Sequence, residues 1–218
     1  TAVTDARAVA DVLRRGYGFR TTLLTNATRG EILDTLLDLR KRLTERDNLL
    51  VYYAGHGVLD NAADRGFWLP RNAREDSRTD WLSNADITDF LKAMRANHVM
   101  VVADSCYSGT LTRGGIRGID ITPRTPDYVS KLIKHKSRTV LTSGSLEPVS
   151  DSGGGQHSVF AKAMLDVLRD NSSLIDGTQL FAKVRERARL NANQTPQYQN
   201  IRLAGHEVGG DFLFVRKK

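Results

Sequence analysis

Apolar positions along the chain switch repeatedly between the helical and the strand period, with short connections between them. Residues 5–15 carry Ala6, Val9 and Leu13 at helical spacing, and Gly16 is the expected stop. Residues 19–24 read as a short strand. Thr28 and Glu31 form a capping-box pattern ahead of Ile32, Leu33, Leu36, Leu37 and Leu43, which predicts a helix to residue 44. Residues 49–54 are a continuous apolar run, the pattern of a strand covered on both faces, and 99–103 repeat it. Between the two runs, 67–69 suit a hairpin strand, and Ser83 is placed to cap a helix carrying Ile87, Phe90, Leu91 and Met94. A short helix at 128–133 and a strand at 139–142 follow. Ser158 is the expected cap of a helix over 159–169. A second helix over 179–191 and a last strand over 212–215 close the pattern.

This order predicts the α/β class, a mostly parallel sheet with helices on both faces. The 218 residues, 40% of them hydrophobic, suit one domain with a sizeable core and exclude a disordered or fibrous chain. No apolar stretch approaches the roughly 18 residues of a membrane span, so no membrane partner is expected. The rhythm breaks over 110–127, where Gly114, Gly115, Gly118, Pro123 and Pro126 sit among Arg113, Arg117 and Arg124. The domain therefore divides into 1–109, a linker over 110–136, and 137–218. The net charge of +7 comes from scattered Lys and Arg, so no nucleic-acid partner is expected. The single cysteine, Cys106, excludes a disulfide framework and a thiolate zinc site. With no basic-then-apolar leader at its start, the chain is expected to be cytoplasmic.

In open α/β sheets, ligands bind beyond the carboxyl ends of the strands. Tyr52-Tyr53-Ala54-Gly55-His56-Gly57 sets a histidine two residues past one buried strand. Val102-Ala103-Asp104-Ser105-Cys106-Tyr107-Ser108-Gly109 sets the only cysteine just past another. One helix separates the strands, so a right-handed crossover makes them neighbours about 4.8 Å apart. Imidazole and thiol then leave the sheet on one edge, where a base can generate the nucleophilic thiolate. Flanking glycines allow close approach of a peptide. The other histidines, His98, His135, His157 and His206, read as structural.

The two motifs together, with His56 fifty residues before Cys106, resemble the caspase-like cysteine peptidases, in particular the metacaspase and bacterial caspase-like branches. The resemblance continues through 139–145, Gly155-Gln156-His157-Ser158-Val159-Phe160, Gln194-Thr195-Pro196 and Gly210-Asp211-Phe212-Leu213-Phe214. It implies the caspase-like three-layer sandwich. It also implies a Cys106–His56 dyad, with the backbone N–H groups of Gly57 and Cys106 as oxyanion hole. Asp104 stands where metacaspases use an acid to bind substrate Arg or Lys, and Thr4-Asp5-Ala6 resembles the segment of their second acid. Asp104 and Asp5 are thus the expected substrate-binding pair. The partner is a polypeptide with Arg or Lys before the scissile bond, alongside a possible regulatory domain or partner protein.

Three departures bear on what carries over. Ala54 replaces a Ser common in metacaspases. Arg113 falls where calcium-dependent metacaspases carry an acid, so no cofactor is expected and calcium dependence is doubtful. The chain also starts at the loop that follows the fold's first strand, so that strand is expected to be absent. Two other functions compete with the peptidase. A catalytically silent caspase-like interaction scaffold is opposed by the intact His56 and Cys106. A phosphate-binding module is opposed because Gly153-Gly154-Gly155 lacks the lysine and spacing of a phosphate loop.

Overall fold

The apolar run at 99–103 forms the middle of the molecule. The computed structural model describes residues 1–105, 126–144, 155–189 and 195–217. Within them β5 (His98–Asp104) is buried at every position. It lies in parallel register between β1 (Asn48–Ala54) and β6 (Ser137–Thr142), and β6 pairs antiparallel with β8 (Gln197–Asn200). Val99, Met100, Val101 and Val102 are wholly excluded from solvent, and each such burial contributes about 1.5–3 kcal/mol.

Because successive strand residues face opposite sides, the run feeds two separate cores. Met100, Val102 and Leu141 pack with α1 (Ala2–Tyr17), α5 (Val159–Asp170) and α6 (Gly177–Arg189). Val99, Val101, Ala103 and Val140 pack with α2 (Arg29–Arg42) and α3 (Asn84–Lys92). The helix–sheet–helix sandwich expected from the sequence is the one observed. Among the described residues, no helix is long and apolar enough to cross a membrane.

Most elements form where the pattern placed them, and their caps explain why. Thr28 accepts from Glu31 N while the Glu31 carboxylate accepts from Thr28 N, closing the expected box at α2. Ser83 and Asp86 do the same for α3. α4 (Pro126–Lys134) covers the helix expected at 128–133, within the stretch expected as linker. Of that linker, 110–125 lies outside the described residues.

Three expectations need correction. α1 does not stop at Gly16 but runs to Tyr17 and ends on Gly18, whose φ of 74° is the left-handed turn glycine favours. Residues 19–24 do not form a strand. They and β1 wall a cavity of about 890 Å³, with Leu36, Leu39 and Trp68 behind. Strand pairing requires backbones about 4.8 Å apart, and the cavity intervenes. Among the described residues β1 is an edge strand of its sheet, half-buried over most of its length rather than covered throughout.

Further short strands lie among the described residues; those expected at 67–69 and 212–215 are present, and the others are too short to show a period. β2 (Gly57–Asp60), β3 (Arg65–Trp68) and β4 (Leu82–Ser83) make an antiparallel flap directly after His56. β7 (Leu174–Asp176) pairs with β9 (Leu213–Val215).

Candidate active site

Ala54 stands opposite Asp104 in the parallel β1–β5 register, and Gly55 N donates to Asp104 O at 3.3 Å. The two candidate motifs therefore leave the sheet side by side, as the crossover argument requires. Cys106 itself lies outside the described residues.

The turn that carries His56 is tied down from β1. Tyr53 stacks flat on Trp68, with ring centroids 4.1 Å apart, and its hydroxyl donates to His56 O at 2.7 Å. Burial raises the Tyr53 phenol far above its ordinary range, so it remains a donor. Gly55 makes this turn possible: a Cβ there would lie 2.8 Å from the anchored Tyr53 hydroxyl. Leu69 N donates to His56 O at 3.0 Å and extends the flap pairing to the turn. The His56 side chain is exposed, and Gly57 follows as the first residue of β2, opposite Trp68.

The two acids proposed from the sequence come together at one point. Asp104 is 4% exposed and Asp5 is 1% exposed. Ser158 Oγ donates to Asp104 Oδ2 at 2.6 Å, and Ser158 N donates to Asp5 Oδ2 at 3.3 Å. Asp5 Oδ1 lies 2.6 Å from His157 Nδ1, and Tyr52 Oη lies 3.5 Å from Asp104 Oδ2. Burial raises the Tyr52 phenol well above its usual value, and the nearby Asp104 and Asp5 carboxylates push it further. Asp5, Tyr52, His56, Asp104 and Ser158 all line the 890 Å³ cavity.

The sequence names both acids but gives no sign of what holds them. Ser158 was legible only as a helix cap, a role it has, since it accepts from Ala161 N at 2.9 Å. His157 reads from the sequence as structural. Nothing in the local sequence signals that either meets an acid from α1. His98, by contrast, is structural: it is buried and sits between Ser137 Oγ and Ile133 O, 3.2 Å from each. Among the described residues, no three His, Cys, Asp or Glu side chains converge in a way that could hold a metal ion.

Comparison with known proteins gives the same frame. The chain is similar in structure to a protein from Geobacter sulfurreducens, with a TM-score of 0.62 and 16% identity over 96% of this chain and 89% of the other. It is also similar to caspase-1 from Spodoptera frugiperda, with a TM-score of 0.64 and 17% identity over 90% of this chain and 77% of that one. These likenesses establish the fold. No curated protein matches the chain by sequence. The family model of the caspase domain of C14 peptidases matches residues 1–205, and the chain belongs to that family.

Proposed function

We propose that the chain is a cysteine endopeptidase that cleaves after Arg or Lys through a Cys106–His56 dyad. The observation that carries this reading is the pairing of Ala54 with Asp104. His56 follows the first by two residues, and Cys106 follows the second by two. The segments that lead to base and nucleophile thus begin from neighbouring parallel strands at the same level.

In this reading the Cys106 thiolate attacks the scissile carbonyl, His56 having taken the thiol proton. The carbonyl oxygen, now anionic, is met by the Gly57 and Cys106 N–H groups. His56 then gives its proton to the leaving amine, and water releases the acyl group from Cys106. Asp104, backed by Asp5, receives the basic side chain before the scissile bond, a charge-assisted pairing strengthened by their burial. No cofactor enters the scheme.

Fluorogenic peptides that differ only in Arg, Lys or Asp before the reporter test it. Hydrolysis of the Arg and Lys peptides, lost in Cys106→Ala, is the expected result. Preference for Asp, or hydrolysis that survives the substitution, would overturn it.

A further inference from the structure

We propose that His157 and Ser158 are the positioning residues of the acid pocket, a two-residue clamp that fixes Asp5 and Asp104 for a substrate's basic side chain. The inference rests on the arginine-directed reading above and adds residues which that reading does not contain.

The argument starts from repulsion. Two buried carboxylates drawn to one residue disfavour each other unless donors hold them. Here consecutive residues supply those donors. Ser158 Oγ holds Asp104 Oδ2, Ser158 N holds Asp5 Oδ2, and His157 Nδ1 meets Asp5 Oδ1. Ser158 is itself fixed, because its oxygen accepts from Ala161 N at 2.9 Å. A hydroxyl has a single proton, so with that acceptor position filled the proton is directed at Asp104.

The clamp also sits at the first turn of a 12-residue helix, whose positive end favours carboxylates nearby. It joins three separate parts of the fold: Asp5 from α1, Asp104 from the end of β5, and the N-terminus of α5. Ser158 is 1% exposed. Its hydroxyl and N–H therefore meet the two acids out of solvent, at the wall of the cavity that all three line.

A cap alone would explain Ser158 Oγ and Ala161 N. It would not explain why the same residue binds both acids, nor why His157 joins it. The two roles differ in what they change. A cap changes stability, whereas a clamp changes how well the pocket distinguishes a cation from a neutral group of equal shape.

The test is calorimetric titration of the Cys106→Ala protein with two acetylated peptides, one ending in arginine and one in citrulline. Binding of the arginine peptide in preference to citrulline is expected for this parent. Adding Ser158→Ala should cut that preference by about tenfold, the loss of a hydrogen bond to a charged group, while Ser158→Thr, which keeps donor and cap, should stay within about threefold. His157→Ala leaves the cap intact and should also reduce the preference, so the test stands even if Ser158→Ala fails to fold. A parent that does not discriminate between the peptides overturns the arginine reading and the clamp with it. A parent that discriminates, beside His157 and Ser158 variants that discriminate equally well, overturns the clamp alone.

Discussion

Ala54 and Asp104 face each other in the parallel register of β1 and β5, and a hydrogen bond from Gly55 N to Asp104 O continues that register past the strand ends. The pairing matters because both candidate motifs are counted from it. A slip of one residue would turn each side chain to the other face of the sheet. The fully buried β5 resists such a slip, since its two faces feed different cores.

The first prediction concerns the dyad. Cys106→Ala should remove peptide turnover, and His56→Ala should reduce it by about 10²–10⁴-fold, the usual weight of general acid–base help. Because the His56 side chain is exposed, its removal should leave the thermal midpoint unchanged within a degree or two, as for other surface substitutions (about ±0.5 kcal/mol). Fluorogenic assays beside thermal scans make the check. A His56→Ala protein that stays folded and retains wild-type turnover would exclude the base role.

Self-processing is the second. Arg113, Arg117 and Arg124 lie among glycines and prolines before α4 begins at Pro126. A protease that cuts after basic residues should cleave itself within 110–125, the stretch between nucleophile and helix. Intact-mass measurement of wild type and Cys106→Ala after incubation decides this. Equal cleavage in both would assign the cuts to another enzyme.

The third is a dependence of stability on pH. Burial lowers the His98 pKa, and burial together with the Arg138 guanidinium lowers that of His206, whose Nδ1 accepts from Arg138 N at 3.1 Å. Both histidines therefore stay neutral in the fold at pH values where the unfolded chain takes up protons, near 6.5. Their contribution to stability is complete above that value and is lost as pH falls through the lowered folded values. The urea midpoint should drop between about pH 7.5 and pH 5.5, and His206→Asn should flatten the drop. An undiminished slope in His206→Asn would remove this histidine from the account.

What could be read from the sequence follows from the range of each signal. The capping box at Thr28 and the cap at Ser83 are local signals, and both are recognisable in the sequence. The apolar run of β5 announces a doubly covered strand, and the structure buries all of it. Residues 19–24 failed because strand propensity says nothing about whether a partner lies within pairing distance. The flap strands β2 and β4 are too short to show a period. At the site, His56 and Asp104 could be placed from the sequence because each lies at or just past the end of a recognisable strand. His157 gave no such signal. Its contact with Asp5 joins residues far apart in the chain, and it exists only because α1 and α5 pack on the same face of the sheet.

The last prediction concerns the specificity pocket. Asp104 and Asp5 together present two carboxylates behind the nucleophile's strand end, both nearly excluded from solvent. An arriving guanidinium can pair with a carboxylate through two parallel N–H donors, whereas an ammonium meets it as a point charge, so Arg should be cleaved faster than Lys. A substrate aspartate would add a third negative charge in the same place, and discrimination of several kcal/mol follows from like-charge contact at an interface. In rate this corresponds to an Arg-over-Asp ratio in kcat/KM of about 10²–10⁴. Asp104→Ala should abolish that ratio. It also leaves the Ser158 hydroxyl and Tyr52 without their acid, so some loss of stability will accompany it. Alkylation of Cys106 by a small neutral reagent separates the two effects. With Asp104 gone, one charge that disfavours the thiolate is removed, so alkylation should proceed at least as fast as in wild type. Lost arginine cleavage beside preserved alkylation locates the defect in the pocket. Loss of both in parallel would mean that Asp104 supports the fold, and that specificity resides elsewhere.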